Sequence, residues 1–417
     1  MQKTLSLLLL LMLCCPFSIM WLKLLLLFII IFNQFFKYVS GHYICNYKKK
    51  YVIWFFLFFC SGLFSLLYGA IKGNPGVHYH YLVYLAWPIL YPVVFSNLNI
   101  FSIRKLEEML NFCYLFILIT GVLSFLQMNF GLFTFFDPTL FGYEIADNSR
   151  PMYLFISPSG GAIVDFFILF SFMLSNYCLS EKRLSIRRII LLLLGFVYIV
   201  ISSRRVMMFG FIYIPIILML LTKLSKQYVK HKLRNRIFMI YTLPLICLFL
   251  GIGYVFADTE DFSLFFSSAF SSDGDFGRGE NVRLDQGEAL IKGWYDNFFF
   301  GAGTGINASV VRNDIPGVYE LSYHAILFER GLFGSILYFG LLLIPIVWTV
   351  KIVKACKNIE LSSFLLSYSV CYISLLSANA TNPYIGAFDY IWIIFLYIAL
   401  INNVDKIIDY EKSMYNY

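Results

Sequence analysis

Apolar positions in this chain come in blocks rather than stripes. Stretches such as LLLLFIIIFNQFF, VIWFFLFFCSGLFSLLYGA and IILLLLGFVYIVI keep no polar face, and short polar connections separate them. A helix that is apolar all round is either buried or spans a bilayer, and about 20 such residues are enough to cross one. The blocks predict helical spans at roughly 5–20, 22–38, 51–72, 78–96, 106–127, 152–178, 189–203, 206–222, 237–256, 326–350, 361–378 and 386–403, with ends good to about 2–4 residues. The expected fold class is an all-α polytopic membrane protein. It would have about 12 transmembrane helices and one large extracytoplasmic loop.

The same pattern divides the chain. Residues 1–256 are expected to form an N-terminal transmembrane bundle of about nine helices. Residues 257–325 form the large loop, and 326–417 hold the C-terminal helices and a cytoplasmic tail. The start, MQKTLSLLLLLMLCCPF, resembles a signal peptide with Lys3 as its charged region. It lacks a small-x-small cleavage site, and a second apolar run from Trp21 to Phe36 follows at once, so a helical hairpin is the simpler reading. Inside the loop, ENVRLDQGEALIKGWYDN predicts an amphipathic helix with Leu284, Ala289, Leu290 and Trp294 on its apolar face. The glycines of GAGTG, Gly301, Gly303 and Gly305, then end it. That motif invites a nucleotide-binding reading, but no strand precedes it, and a tight turn is expected.

Composition strengthens the membrane reading. Of 417 residues, 60% are hydrophobic and only 13% charged, with mean hydropathy +0.75; a soluble protein carries about 25% charge. Basic clusters recur on alternate connections: KKK at 48–50, RK at 104–105, EKRLSIRR at 181–188, KLSKQYVKHKLRNR at 223–236 and KIVKACK at 351–357. Positive residues favour the cytoplasmic side. That rule puts 22 of the 32 Lys and Arg inside, with both termini cytoplasmic. The net charge of +8 then reflects topology, and no nucleic-acid partner is expected. The large loop carries 11 acids against four bases, opposite in sign to the whole chain. None of the nine cysteines lies in it, and no Cys/His spacing suggests zinc, so neither a disulfide framework nor a metal site is expected.

Candidate chemistry collects at the span ends facing the loop. Arg150 precedes the sixth span; Ser203, Arg204 and Arg205 separate the seventh and eighth; Arg278 and Arg283 are in the loop; His324 opens the tenth. The SRR triplet between two apolar blocks is costly near hydrocarbon, roughly 2.5–3.5 kcal/mol per arginine if deep. Its plain reading is snorkelling to headgroups; its functional reading is an anion site, since guanidinium binds phosphate bidentately. His324 is either an interfacial packing residue or a neutral imidazole that accepts a proton from a sugar hydroxyl. Asp165 is expected about midway along the sixth span, in a structural pairing with an arginine or a hydrogen bond within the bundle. His78 and His80 are read as interface residues beside aromatic neighbours, with metal ligation as the alternative. Asn382-Pro383 predicts a turn.

Taken in order, these segments resemble the O-antigen polymerase and O-antigen ligase family of bacterial envelope glycosyltransferases. The segments are NSRPMYLFISPSGGA, ISSRR, RLDQGEALIKGWYDNFFFGAGTG, the His-led YHAILFERGLFG and TNP. The resemblance covers roughly 145–400. Two departures are Ala325, where the family often has Asn, and Arg205-Val206, where it has small residues. In FERGLFG the arginine in the middle slot is taken as unremarkable.

The resemblance implies a metal-independent inverting transfer that needs no cofactor. The donor would be an oligosaccharide on undecaprenyl diphosphate, at the outer face of the bacterial inner membrane. Arg204 and Arg283 would hold the diphosphate, supported by Arg150, Arg205 and Arg278, and His324 would act on the acceptor hydroxyl. Partners implied are membrane lipid and a chain-length regulator protein. In a polymerase the acceptor is the next lipid-linked repeat unit; in a ligase it is lipid A-core. The rival from another class is a lipid-linked glycan transporter. Such a protein should show a polar path through its spans, whereas intramembrane charge here is expected to be sparse, essentially Asp165.

Overall fold

The computed structural model describes residues 2–41, 47–96, 103–145, 158–179, 186–202, 205–226, 275–311, 315–356 and 358–404. Among these the chain is almost entirely helical. The helices are α1 (Gln2–Cys14), α2 (Met20–Val39), α3 (Lys49–Ile71), α4 (Trp87–Phe95), α5 (Ile103–Phe130), α6 (Gly161–Leu179), α7 (Ile186–Ile201), α8 (Arg205–Leu224), α9 (Asp275–Asp296), α10 (Ser322–Ala355), α11 (Ile359–Asn379) and α12 (Phe388–Asn402). A tight 3-10 turn over Val77–His80 and a π turn over Leu82–Ala86 lead into α4. The one pair of strands among the described residues is β1 (Tyr143–Ile145) with β2 (Pro158–Gly160), antiparallel, with Tyr143 opposite Gly160.

Six helices, α2, α3, α5, α6, α10 and α11, are long and apolar enough to cross a membrane by length and composition. The chain is therefore membrane-embedded. The apolar blocks at 237–256 and Asn382-Pro383 differ in outcome: the first lies outside the described residues, and the second forms the turn between α11 and α12. The hairpin expected at the N-terminus forms, with its turn at Cys15–Ile19. Phe17 and Ile19 take left-handed backbone there, with φ of 60° and 49°, which is costly for a branched residue.

Burial sorts the helices into layers. Every residue of α6 from Gly161 to Cys178 is buried, as is all of α12. These two, with α11, form the centre. Ser367 and Ser369 of α11 turn their hydroxyls back onto their own helix, Ser367 Oγ to Ser363 O at 2.7 Å and Ser369 Oγ to Leu365 O at 2.8 Å, which leaves small faces for close helix packing. By contrast α2 and α3 leave Phe28, Phe56 and Phe64 more than 60% exposed. An apolar outer surface of this kind suits a hydrocarbon solvent.

Two expectations need correcting. The sixth span does not start at 152: Gly160 ends β2 and α6 begins at Gly161, so Asp165 lies in the second turn of its helix rather than midway. Intramembrane charge is also not sparse. Lys23, Asp165, Glu329, Arg330 and Asp389 are all buried within apolar helices. Lys23 Nζ reaches Asp389 Oδ1 at 2.5 Å and Cys15 O at 2.7 Å, and the second oxygen of Asp389 accepts from the amide of Phe17 at 2.9 Å. This pair therefore bolts the strained α1–α2 turn to α12. Among the described residues Asp165 is not paired with an arginine, and neither of its oxygens has a hydrogen-bond partner.

Candidate functional site

The loop helix α9 and the start of α10 build the site. The loop segment forms the helix predicted, and Ala289, Leu290 and Trp294 of the predicted face pack inward. Leu284 is 62% exposed, whereas Gln286 and Leu290 are buried. Pairs along the two helices advance in the same direction. Arg283 Nε meets Glu320 Oε2 at 2.8 Å, Gly287 faces Leu321, and Gly293 leaves room for the ring of Phe328. A Cβ on Gly293 would meet that ring at 2.5 Å.

His324 follows Leu321 by three positions and precedes Phe328 by four, so it shares their helix face. Leu321, Ala325 and Phe328 beside it pack with Ala289, Leu290 and Trp294 of α9. His324 Nδ1 is buried and has no hydrogen-bond partner, and neither amide atom of Gln286 has one. Buried polar groups without partners are rare in folded proteins. Of the two sequence candidates, Arg283 pairs with Glu320, which stands four residues before His324 in the chain.

Arg205 opens α8 and Arg278 lies in the first turns of α9. Arg150 and Arg204 lie outside the described residues.

What holds α9 and α10 in place is the glycine turn. GAGTG is a turn, not a nucleotide loop. Helix α10 breaks at Gly331, whose φ of 63° and ψ of −169° leave the helical region. The break frees main-chain groups that must find other partners, and the segment after α9 supplies them. The amides of Ala302 and Gly303 donate to the carbonyls of Phe328 and Glu329, both at 2.8 Å. In return, Leu332 and Phe333 donate to the carbonyls of Phe298 and Phe299, at 2.7 and 3.2 Å.

The far side of the turn is fastened to the bundle. Asn74 Nδ2 lies within 3.1 Å of the carbonyls of Ala302, Gly303 and Thr304. Thr304 donates its amide to Ser65 O and exchanges a hydroxyl bond with Ser65 Oγ. Gly303, with φ of 85°, packs directly on Gly69, where an added Cβ would stand 2.6 Å from the Gly69 Cα.

A buried polar cluster lies beneath. Glu329 Oε1 accepts from the amide of Gly305 at 3.0 Å. Arg330 is 3% exposed and donates Nη1 to Ser61 Oγ at 2.9 Å. Its guanidinium lies over the rings of Tyr84 and Tyr338, at 4.8 and 4.4 Å. A desolvated cation–π contact of this kind contributes about 2 kcal/mol. The arginine taken as unremarkable in FERGLFG is thus a central anchor.

His80 stacks on Tyr84, as its aromatic setting predicted, and its Nε2 is 3.3 Å from the carbonyl of Gly317. His78 packs on Tyr79 at 4.0 Å. An enclosed space of about 90 Å³ opens between His80, Ser322, Glu329, Tyr338 and Asn379. In the loop, Tyr319 donates its hydroxyl to Ile306 O and accepts from the Ala308 amide, both at 2.6 Å. Burial pushes its pKa up to about 12.

Sequence reasoning missed Glu329 and Arg330 as anchors. The signal was present, since two adjacent charges one turn into an apolar block are costly unless partnered. No family model matches the chain, and no curated protein matches it.

Proposed function

We propose that this protein polymerises undecaprenyl-diphosphate-linked oligosaccharide repeat units into a surface polysaccharide such as O-antigen or capsule. In this reading about 12 spans cross the bacterial inner membrane with both termini cytoplasmic, and α9 and the first residues of α10 lie on the extracytoplasmic side. The observation that carries it is the packing of α9 on α10, which brings Arg283 and His324 to one helix interface with an unpartnered imidazole nitrogen.

The chemistry is a displacement at the anomeric carbon of the donor. The acceptor hydroxyl oxygen attacks that carbon from the face opposite the diphosphate. Its proton passes to the imidazole of His324, and the bond between the anomeric carbon and the diphosphate oxygen breaks with inversion. Arg283, with Arg204 and the supporting Arg150, Arg205 and Arg278, neutralises the leaving undecaprenyl diphosphate. The Arg283–Glu320 ion pair is partly exposed, 39% at Arg283 and 18% at Glu320. Such a pair is worth only about 0–1 kcal/mol, so a diphosphate can displace the carboxylate at little cost.

The test is a glycan ladder. Surface polysaccharide is resolved by gel from a strain lacking the gene, complemented with wild type or with His324→Ala at equal protein level. Single-repeat material alone in both the deletion and the variant supports polymerisation. Long lipid-linked chains that never reach lipid A-core would instead make the protein a ligase. An unchanged ladder would sink the glycosyl-transfer reading and leave transport of a lipid-linked glycan as the successor.

A further inference from the structure

One turn along α10 from His324, the ring of Phe328 forms part of a second and larger space, about 400 Å³ in volume. Its roof is the outer half of α9, from Ala289 to Asn297, and its floor is the segment 306–309. Lys72, at the end of α3, closes one side, and Lys292 of α9 faces in from another. Ligand sites of small molecules begin at about 300 Å³, so one or two sugar rings fit.

The walls have a definite chemistry. Lys292 is the one lysine in the acidic loop 257–325, and it lines this cavity together with Lys72, which the bundle contributes. Among the described residues neither lysine is held in an ion pair. Lys72 Nζ instead lies over the ring of Tyr68 at 4.6 Å. One acid, Asp296, lies on the rim, so the cavity is net positive within a net negative loop. Two amides complete it. Asn307 Oδ1 accepts from the Gly317 amide at 2.8 Å, which leaves its NH2 to donate. Asn297 Nδ2 donates to Gly293 O at 3.0 Å, which leaves its oxygen to accept. A donor and an acceptor set beside an ammonium pair match hydroxyls beside a carboxylate.

We propose that this cavity binds an acidic sugar of the glycan, with Lys72 and Lys292 facing its carboxylate and Asn297 and Asn307 its hydroxyls. The proposal rests on the polymerase reading and deepens it: the repeat unit carries a uronic acid or a similar acidic residue one or two sugars from the bond being formed. Phe328, which lines the cavity, follows His324 by four residues on α10, so the cavity lies about one turn from the candidate imidazole. A neutral repeat unit would leave both ammonium groups without a counter-charge in the bound state.

The full chain in zwitterionic nanodiscs, titrated with fluorescent trigalacturonate and with its neutral methyl ester, tests this. The acid should bind and the ester should bind at least about fivefold more weakly, with the preference fading as salt rises. The double variant Lys72→Gln, Lys292→Gln should lose the preference, and Lys72→Arg, Lys292→Arg should keep it. Both lysines are exposed, so neither variant disturbs packing. Equal binding of acid and ester, or no binding of either, overturns the proposal. So does displacement of the acid by inorganic phosphate or by anionic phospholipid at matched concentration, which would make the cavity a phosphate or headgroup site. None of these outcomes touches the glycan ladder of His324→Ala, so failure here and failure of polymerisation are read separately.

Discussion

Replacing Lys23 with methionine should destabilise the bundle more than any surface change. Lys23 and Asp389 are both 0% exposed, and their 2.5 Å contact is the main counter-charge for each. Removing one partner of a buried pair leaves an uncompensated charge, a cost of about 3–5 kcal/mol. Losing the bond from Nζ to Cys15 O adds about 1 kcal/mol. Asp389→Asn should cost a similar amount by stranding the ammonium. The double variant Lys23→Met, Asp389→Asn should recover much of this, because asparagine can still accept from the Phe17 amide while no charge remains. The expected coupling is about 2–3 kcal/mol. The assay is residual monodisperse protein on size exclusion after graded heating in detergent, which ranks variants even where unfolding is irreversible. A double variant as heat-sensitive as the two losses summed would refute the reasoning, because the two residues would then act independently.

Three further outcomes follow from the site. Gly331→Ala should prevent the glycine turn from docking, since a Cβ there would stand 2.3 Å from the Gly301 amide nitrogen and the backbone has φ of 63°; limited proteolysis should then cut near 297–305, which wild type protects. Arg283→Ala should change thermal stability by less than about 1 kcal/mol, as expected for a partly exposed ion pair, yet abolish chain growth on the glycan ladder; a large stability loss with normal chains would reverse that assignment. Tyr319→Phe removes both bonds between the hydroxyl and the 306–308 segment and should cost about 1–3 kcal/mol, read as faster amide exchange across that segment. In wild type the raised pKa of Tyr319 sets the sign. Its contribution is complete below the ordinary tyrosine value of about 10 and is lost as pH rises toward about 12, so protection at 306–308, taken relative to the base-catalysed intrinsic exchange rate, should be flat from neutral pH to mildly alkaline pH and fall only beyond.

The apolar blocks made most helices legible because a bilayer solvent demands them. Their limits failed where composition alone misled. The segment at 152–157 is apolar enough to extend the sixth block, but Pro158 and Gly160 belong to a strand, and α6 starts after them. In the loop, the helix and most of its inward face, Ala289, Leu290 and Trp294, were legible, but at its start Gln286 rather than Leu284 turns inward. Pattern reading assigns polar residues outward, and a buried amide at a candidate site defeats it. The two charge clusters were illegible for another reason. Lys23 meets Asp389 across 366 positions, and Arg330 meets Ser61 across 269. Each charge, taken alone at the edge of an apolar block, looks like a snorkelling side chain. Only the packing shows that each is enclosed. Of the candidate site, Arg283 and His324 were found from their order along the chain, whereas the anchors Asn74, Glu329 and Arg330 emerge from the fold.

The exchange between the glycine turn and the broken α10 is made of main-chain atoms: four amide-to-carbonyl bonds join residues 298–303 to 328–333. The fastening therefore does not depend on which side chains the neighbouring stretch carries. Residues such as Lys292, Asn307 and Ser309 can change without loosening it. A scaffold of that kind separates the hinge from the lock. The cavity wall can be altered at a few loop positions while the fastening holds, and a laboratory that wished to retune it would start there.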